Sequence, residues 1–224
     1  PAFNRSFEAL GIGWFWDEKT YIDLLKINGG KNRIAFYAKL KNQIFTQEFI
    51  TKIHLEKQKH YISLVKDGAV TLKEGVNRLV KELKIKKVRQ FIVTSSSRIQ
   101  VKLLVDLLFG EESPFEFFIS SEDVDLHKPN PLPYLRAISL SGIKTSNSIV
   151  FEDSIPGVKS SLSAKIPTIC VKSNIPTYFD KKIPLKCVVN SIGDFNKNTK
   201  ILKGPLLTDK YINYEYLVKY LNNC

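Results

Sequence analysis

The chain has 224 residues, 43% of them hydrophobic and 11% aromatic, enough to bury a sizeable core as one large domain or two small ones. No apolar run reaches the length of a membrane-spanning helix, and no basic start followed by an apolar stretch marks a signal peptide. The net charge of +12 leaves room for an anionic partner, but the lysines are scattered and no basic-aromatic module stands out, which argues against nucleic acid. Residue 1 is Pro and the chain has no Met, so a processed or partial product is expected. Cys170, Cys187 and Cys224 are odd in number and form no CxxC. That favours a reducing, intracellular compartment over a disulfide framework or a zinc site.

In chain order, Phe3, Phe7 and Leu10 carry helical spacing that begins abruptly. Asp17 can cap a helix running to about Ile27. The turn Gly29-Gly30-Lys31-Asn32-Arg33 feeds a helix from Ile34 to about Leu40, and a longer one runs from near Thr46 to about Lys66. The first 70 residues thus read as all-helical. The character changes near Gly68. A helix is expected over 71–83, then a strand over Val88–Val93 ending in Thr94-Ser95-Ser96-Ser97, then a helix to about Phe109. Phe115–Ile119 is a strand, and Asp125-Leu126-His127-Lys128-Pro129-Asn130-Pro131 is a loop before another helix. The strand at 148–152 is followed by a helix over about 157–164, the strand Thr168–Val171 and a last short strand, Cys187–Val189. The stretch 174–210 is rich in loops, and Tyr214–Leu221 closes with a helix. Alternating strands and helices predict an α/β core built on a parallel, Rossmann-like sheet.

Three features fall at strand ends or in a loop, where open α/β sheets place their sites. Ser95 follows one apolar strand. Glu152 and Asp153 follow another, and Lys128 stands between a His and a Pro. A hydroxyl and backbone N–H groups can bind phosphate oxygens, a lysine can balance their charge, and paired carboxylates can hold Mg²⁺. Each has an ordinary alternative: Ser95 as a helix cap, Lys128 as a solvated charge, the acidic pair as a cap on the next helix.

In combination these residues resemble the haloacid dehalogenase superfamily. The matching segments are Phe91-Ile92-Val93-Thr94-Ser95-Ser96-Ser97, His127-Lys128-Pro129-Asn130-Pro131 and Phe151-Glu152-Asp153-Ser154-Ile155-Pro156-Gly157. The helical first third is similar to the cap of CbbY-like sugar-phosphate phosphatases, through Ala2–Phe7, Trp14–Asp17, Gly29–Ile34 and Glu56–Tyr61. The resemblance implies a cap over 1–70 and a core over 71–224. It also implies Ser95 and Ser96 on the phosphate, Lys128 as the charge-balancing lysine, and Glu152 with Asp153 as ligands of Mg²⁺. Gly30, Lys31 and Arg33 become candidates for the distal phosphate of a sugar bisphosphate such as xylulose 1,5-bisphosphate. Asn28 stands where such proteins often have Thr. A plastid stroma is a further expectation from the resemblance.

The pattern lacks one part. In the superfamily the first core strand ends in Asp-x-Asp-Gly, whose first Asp is the nucleophile and whose second is the general acid and base. No such motif occurs here; the only Asp-x-Asp is Asp123-Val124-Asp125. Two readings follow. One is a CbbY-like phosphatase whose nucleophile segment is not among these residues. The other is a non-catalytic relative serving as a structural subunit beside neighbouring proteins, in a larger and possibly plastid assembly. The slot of the first strand, about 9.6 Å wide between the strands at 88–93 and 148–152, is expected to be filled by an extended segment: the missing N-terminal segment, another chain or this chain's own C-terminal tail. Direct pairing of those two strands would refute this and favour the second reading.

Overall fold

A computed structural model describes residues 1–27, 29–172 and 183–223. The chain divides into two units, Pro1–Thr71 and Leu72–Cys224. Asn28, Cys224 and residues 173–182, the last nine of them in the expected loop-rich stretch, lie outside the described residues.

The first unit is four helices, α1 (Ala2–Ala9), α2 (Glu18–Leu24), α3 (Gly30–Leu40) and α4 (Gln47–Lys66). Asp17 caps α2 as expected, accepting from the Thr20 N–H at 2.7 Å, and Thr46 does the same for α4 through Phe49 at 3.1 Å. The helix α3 begins four residues before the expected Ile34. Gly29 takes a φ of +85° at its N-cap, a conformation open to glycine, so the Gly-Gly turn starts the helix instead of preceding it. The core is aromatic. Phe7 is fully buried and meets Trp14 and Trp16 edge-on at 5.4 and 5.0 Å. The Asn4 side chain both donates to and accepts from the Trp16 backbone at 2.9 Å, which ties the loop after α1 back to that helix.

The second unit carries the sheet. Strand β1 (Gln90–Val93) pairs in parallel with β2 (Phe115–Ile119). Strands β3 (Val150–Glu152), β4 (Thr168–Val171) and β5 (Cys187–Val189) are parallel, and β6 (Ile201–Lys203) adds an antiparallel edge. The unit's helices are α5 (Val76–Ile85), α6 (Arg98–Phe109), α7 (Leu132–Ser141), α8 (Ile155–Ser163) and α9 (Tyr214–Asn222). The expected mixed α/β architecture, with parallel strands after N-terminal helices, is thus present. Two readings need correction. The helix expected from Thr71 starts at Val76, because Gly75 is left-handed at φ +76° and a Cβ there would collide with the Gly193 carbonyl. Strand β6 was not anticipated, since Leu202 and Lys203 are exposed and give no alternating pattern.

The core of this unit lies where β4, β5, α5 and α9 meet. Ile169, Cys187, Val189 and Ile212 are fully buried, with Tyr216 and Tyr220 packed against them. Burial pushes the Cys170 thiol up to about 12, so it is an inert apolar group there. Arg78 ties α5 to the loops before α9. Its guanidinium donates to the Ile212 and Gly193 carbonyls at 2.7 and 3.1 Å and to Glu82 at 3.0 Å, and lies over the Tyr211 ring.

Among the described residues β1 and β3 do not pair with each other. Phe91, Ile92 and Val93 in β1, and Val150 and Phe151 in β3, are all apolar yet only half-buried, whereas Thr168, Ile169 and Cys170 of β4 are buried.

Candidate active site at the strand ends

Lys128 organises the site. It comes from the loop before α7, and its ammonium donates to the Val93 carbonyl at the end of β1, at 2.9 Å. It also donates to Glu152 Oε1 at the end of β3 and, at 3.2 Å, to the Tyr134 hydroxyl. One cation thus joins the ends of two strands that do not pair. Lys128 and Glu152 are both buried, with side chains 9% and 8% exposed, so the solvated-charge alternative for Lys128 is excluded.

Glu152 is held from several directions. Tyr134 donates to Oε1 at 2.5 Å and Ser154 to Oε2 at 3.2 Å. Gly157, in the first turn of α8, lies so close that any Cβ would collide with the carboxylate. The cap of α8 is Ser154, whose Oγ accepts from the Gly157 N–H at 3.1 Å. The acidic pair therefore does not cap that helix. Burial pushes the Tyr134 hydroxyl well above the usual tyrosine range, and the negative charge of Glu152 and then Asp153 adds to this. The phenol stays protonated and donates.

Asp153 points elsewhere. It is half-exposed, and its Oδ2 lies 2.5 Å from Lys73 Nζ. Ser95 is exposed in the turn after β1, two residues beyond the carbonyl that Lys128 holds. It does not cap α6; the N-cap residue is Ser97. Ser96 gives its N–H to Thr94 Oγ1 at 3.1 Å. The first N–H of α6, on Arg98, is taken by Glu122 Oε2 at 3.0 Å. A carboxylate thus already sits where an anion would meet that helix.

Mg²⁺ usually takes one or two carboxylates and completes its shell with water and substrate oxygens. Glu152 and Asp153 suit that demand in kind, and Asp153 is the more accessible. Among the described residues no group of three or more His, Cys, Asp or Glu side chains gathers around a common point.

The first unit holds a separate basic cluster. Lys31 and Arg33 lie in the first turn of α3, and Arg33 Nε donates to the Ile27 carbonyl at 2.9 Å. Gly30 packs on His54 of α4; a Cβ at Gly30 would come within 2.6 Å of the imidazole. Lys57 lies over the Tyr61 and Phe3 rings at 4.9 and 5.5 Å. Burial, then the charges of Lys57, Lys31 and Arg33, lowers the His54 pKa to about 4. Burial, with Arg33 second, also lowers that of Lys57. Among the described residues no carboxylate pairs with Lys31, Arg33, His54 or Lys57.

Sequence reading missed Tyr134, Lys73 and His54. A buried Tyr two residues after Leu132 reads as core, and its role becomes visible only when Lys128 and Glu152 meet it. His54 carries no motif, but its position one turn before Lys57 on α4 was a usable signal.

A parallel α/β unit with a lysine and an acidic pair at its strand ends, after a helical unit, defines a class. The sequence model of the haloacid dehalogenase-like hydrolase family matches residues 2–171, and the chain belongs to that family. Within it, the chain is 30% identical over 174 residues to protein CbbY of Rhodobacter capsulatus, covering 77% of each. It is 30% identical over 181 residues to the CBBY-like protein of Arabidopsis thaliana, covering 77% of this chain and 57% of that one. The crystal structure of CbbY from Rhodobacter sphaeroides in complex with phosphate superposes with a TM-score of 0.77 at 28% identity, over 85% of each chain. A mutant of that CbbY in complex with xylulose-(1,5)bisphosphate gives 0.76 at 27% identity, again over 85% of each chain. Among the described residues no helix is long and apolar enough to cross a membrane.

Proposed function

We propose that the protein is built for Mg²⁺-dependent removal of phosphate from a sugar phosphate, with a sugar bisphosphate as the substrate class. The observation that carries this is Lys128, a buried cation held at the junction of two strand ends beside a buried carboxylate. Burying this ion pair costs desolvation that apolar residues of similar size would avoid, which favours a functional reason for the charges. In this reading Lys128 and the Ser95 hydroxyl bind the phosphate to be removed, and Ser96 borders it. Glu152 and Asp153 hold Mg²⁺, which when bound offsets the phosphate charge. Gly30 lets the backbone of the turn approach closely, and Lys31 and Arg33 take the distal phosphate. The xylulose bisphosphate bound to the related CbbY supports that substrate class.

The nucleophile and the general acid do not come from these 224 residues, which contain no Asp-x-Asp-Gly. Turnover therefore requires a carboxylate brought by a longer form or by another chain, while binding does not. Titration calorimetry of this chain with xylulose 1,5-bisphosphate and Mg²⁺ tests the reading. Binding that is lost on Lys128→Ala, without turnover, is expected. Unchanged binding in Lys128→Ala overturns it.

A second reading, a non-catalytic relative recruited as a subunit of a larger assembly, is favoured by one observation. Both acids already carry a lysine, Glu152 with Lys128 and Asp153 with Lys73, so the pair is neutralised without a metal. On that reading neither Mg²⁺ nor the bisphosphate binds in the calorimeter.

A further inference from the structure

Tyr134 has no role in the reading above, yet it is placed where the site's charges meet. The side chain comes from the first turn of α7 and is 5% exposed. Its hydroxyl gives its one proton to Glu152 Oε1 at 2.5 Å and accepts from Lys128 Nζ at 3.2 Å. The same ammonium sits 4.8 Å from the centre of the Tyr134 ring. Lysine, phenol and carboxylate therefore close a ring of donors and acceptors, with Glu152 Oε1 shared between two donors.

Sharing has a consequence for the lysine. A buried carboxylate with a single cationic donor draws that cation into a closed pair. A second donor on the same oxygen spreads its charge, and the ring face supplies a further, non-competing attraction for the ammonium. With the Val93 carbonyl as the third acceptor, these contacts engage the three ammonium protons, so Lys128 is restrained in place at the strand ends.

We propose that Tyr134 is a positioning residue. It holds Glu152 as a shared acceptor and fixes the Lys128 ammonium, and with it the positive charge, at the strand ends beside the anion site. The importance for anion binding rests on the function proposed above; the restraint on Lys128 does not. A purely structural role is the alternative, because the ring also packs in a cluster with Ala164, Ile166, Val93, Ile138 and Val150. Tyr134→Phe separates the two, since it keeps the ring and removes only the hydroxyl.

Two measurements on the full chain test this. The first is the ¹⁵N ammonium signal of Lys128, assigned by its loss in Lys128→Arg. In Tyr134→Phe the signal should shift and its proton exchange should quicken several-fold, because Lys128 loses one acceptor. If Tyr134→Phe does not fold, 3-fluorotyrosine at position 134 is the second variant: a stronger donor of nearly the same shape, it should shift the signal the opposite way. The second measurement is orthophosphate binding, which should weaken about five- to tenfold in Tyr134→Phe, the size of one lost hydrogen bond. An unchanged Lys128 signal overturns the proposal. A changed signal with no orthophosphate binding by either protein keeps the positioning role and overturns the anion-site reading.

Discussion

Lys128 and Glu152 form a buried ion pair that bridges the ends of β1 and β3, two strands with no backbone hydrogen bonds between them. Taking both charges out of water is costly, and the return depends on each keeping its partner. Lys128→Met should therefore destabilise the second unit by roughly 3–5 kcal/mol, because Glu152 is left buried with neutral donors alone. The double variant Lys128→Met with Glu152→Leu should recover most of that loss. Urea denaturation followed by circular dichroism checks both. Equal stability of the single variant and the parent would show that the pair is hydrated in solution.

How much of this was legible in the sequence depends on the range of the interaction. Strands β2, β4 and β5 were readable because each is a short apolar run bounded by turn residues, a purely local signal. The caps Asp17 and Thr46 are local too. Lys128, Glu152 and Asp153 could be named from strand ends and motif context, but their geometry could not. Lys73 reaches Asp153 across 80 positions, and no spacing rule anticipates that. The start of α5 depends on the backbone of Gly193, 118 positions beyond Gly75 in the numbering, which is equally invisible locally. Edge strand β6 was missed because an exposed edge has no buried face to impose alternation.

Gly157 should not tolerate even a methyl group. Its φ is ordinary for a helix, so the constraint is space: any Cβ lands on the Glu152 carboxylate. Gly157→Ala improves helix propensity by about 1 kcal/mol, and overpacking of a tight site costs about 1–3 kcal/mol. The collision should win, because Glu152 is also held by Tyr134, Lys128 and Ser154 and has nowhere to move. The expected outcome is a lowered urea midpoint for the second unit and a perturbed Lys128 ammonium signal. A midpoint above the parent's would mean that Glu152 swings away freely.

His54 makes the first unit sensitive to acid. Its folded pKa of about 4 lies below the ordinary 6.5, chiefly through burial and then through Lys57, Lys31 and Arg33. Between those values the unfolded chain binds more protons than the folded one. Stability is therefore fully present above about pH 6.5 and is lost as pH falls towards about 4. Both tryptophans, Trp14 and Trp16, lie in this unit, so their fluorescence reports its unfolding alone. The thermal midpoint should fall across that window in the parent and fall less in His54→Gln. Identical slopes would place the imidazole in water. A phosphate dianion held by Lys31 and Arg33 should offset the cationic field and reduce the acid loss, which tests the distal-phosphate assignment independently of turnover.

Among the described residues no strand pairs with the outer edges of β1 and β3, and this should be visible as alternation in amide exchange. In a parallel ladder the N–H and C=O of one residue point to one neighbour, and those of the next residue point to the other. Thr94 donates to the Ile119 carbonyl, so Thr94 and Ile92 face β2, while Phe91 and Val93 face away from it. The Lys128 bond to the Val93 carbonyl agrees with that assignment. Val150 donates to the Pro167 carbonyl, so Val150 and Glu152 face β4, while Phe151 faces away. Unpaired groups at this depth are costly unless water or another segment meets them. If water meets them, Ile92, Thr94, Val150 and Glu152 should exchange slowly and Phe91, Val93 and Phe151 quickly, a period-2 pattern that simple burial does not produce. Hydrogen–deuterium exchange resolved residue by residue decides the matter. Uniformly slow exchange at all seven amides would mean that an extended segment lies along both edges, which is the arrangement a supplied nucleophile strand requires. Conversion from the alternating to the uniform pattern on adding a longer form or a partner chain would identify the source of that strand. Failure of any such addition to slow Phe91, Val93 and Phe151 would favour the non-catalytic reading.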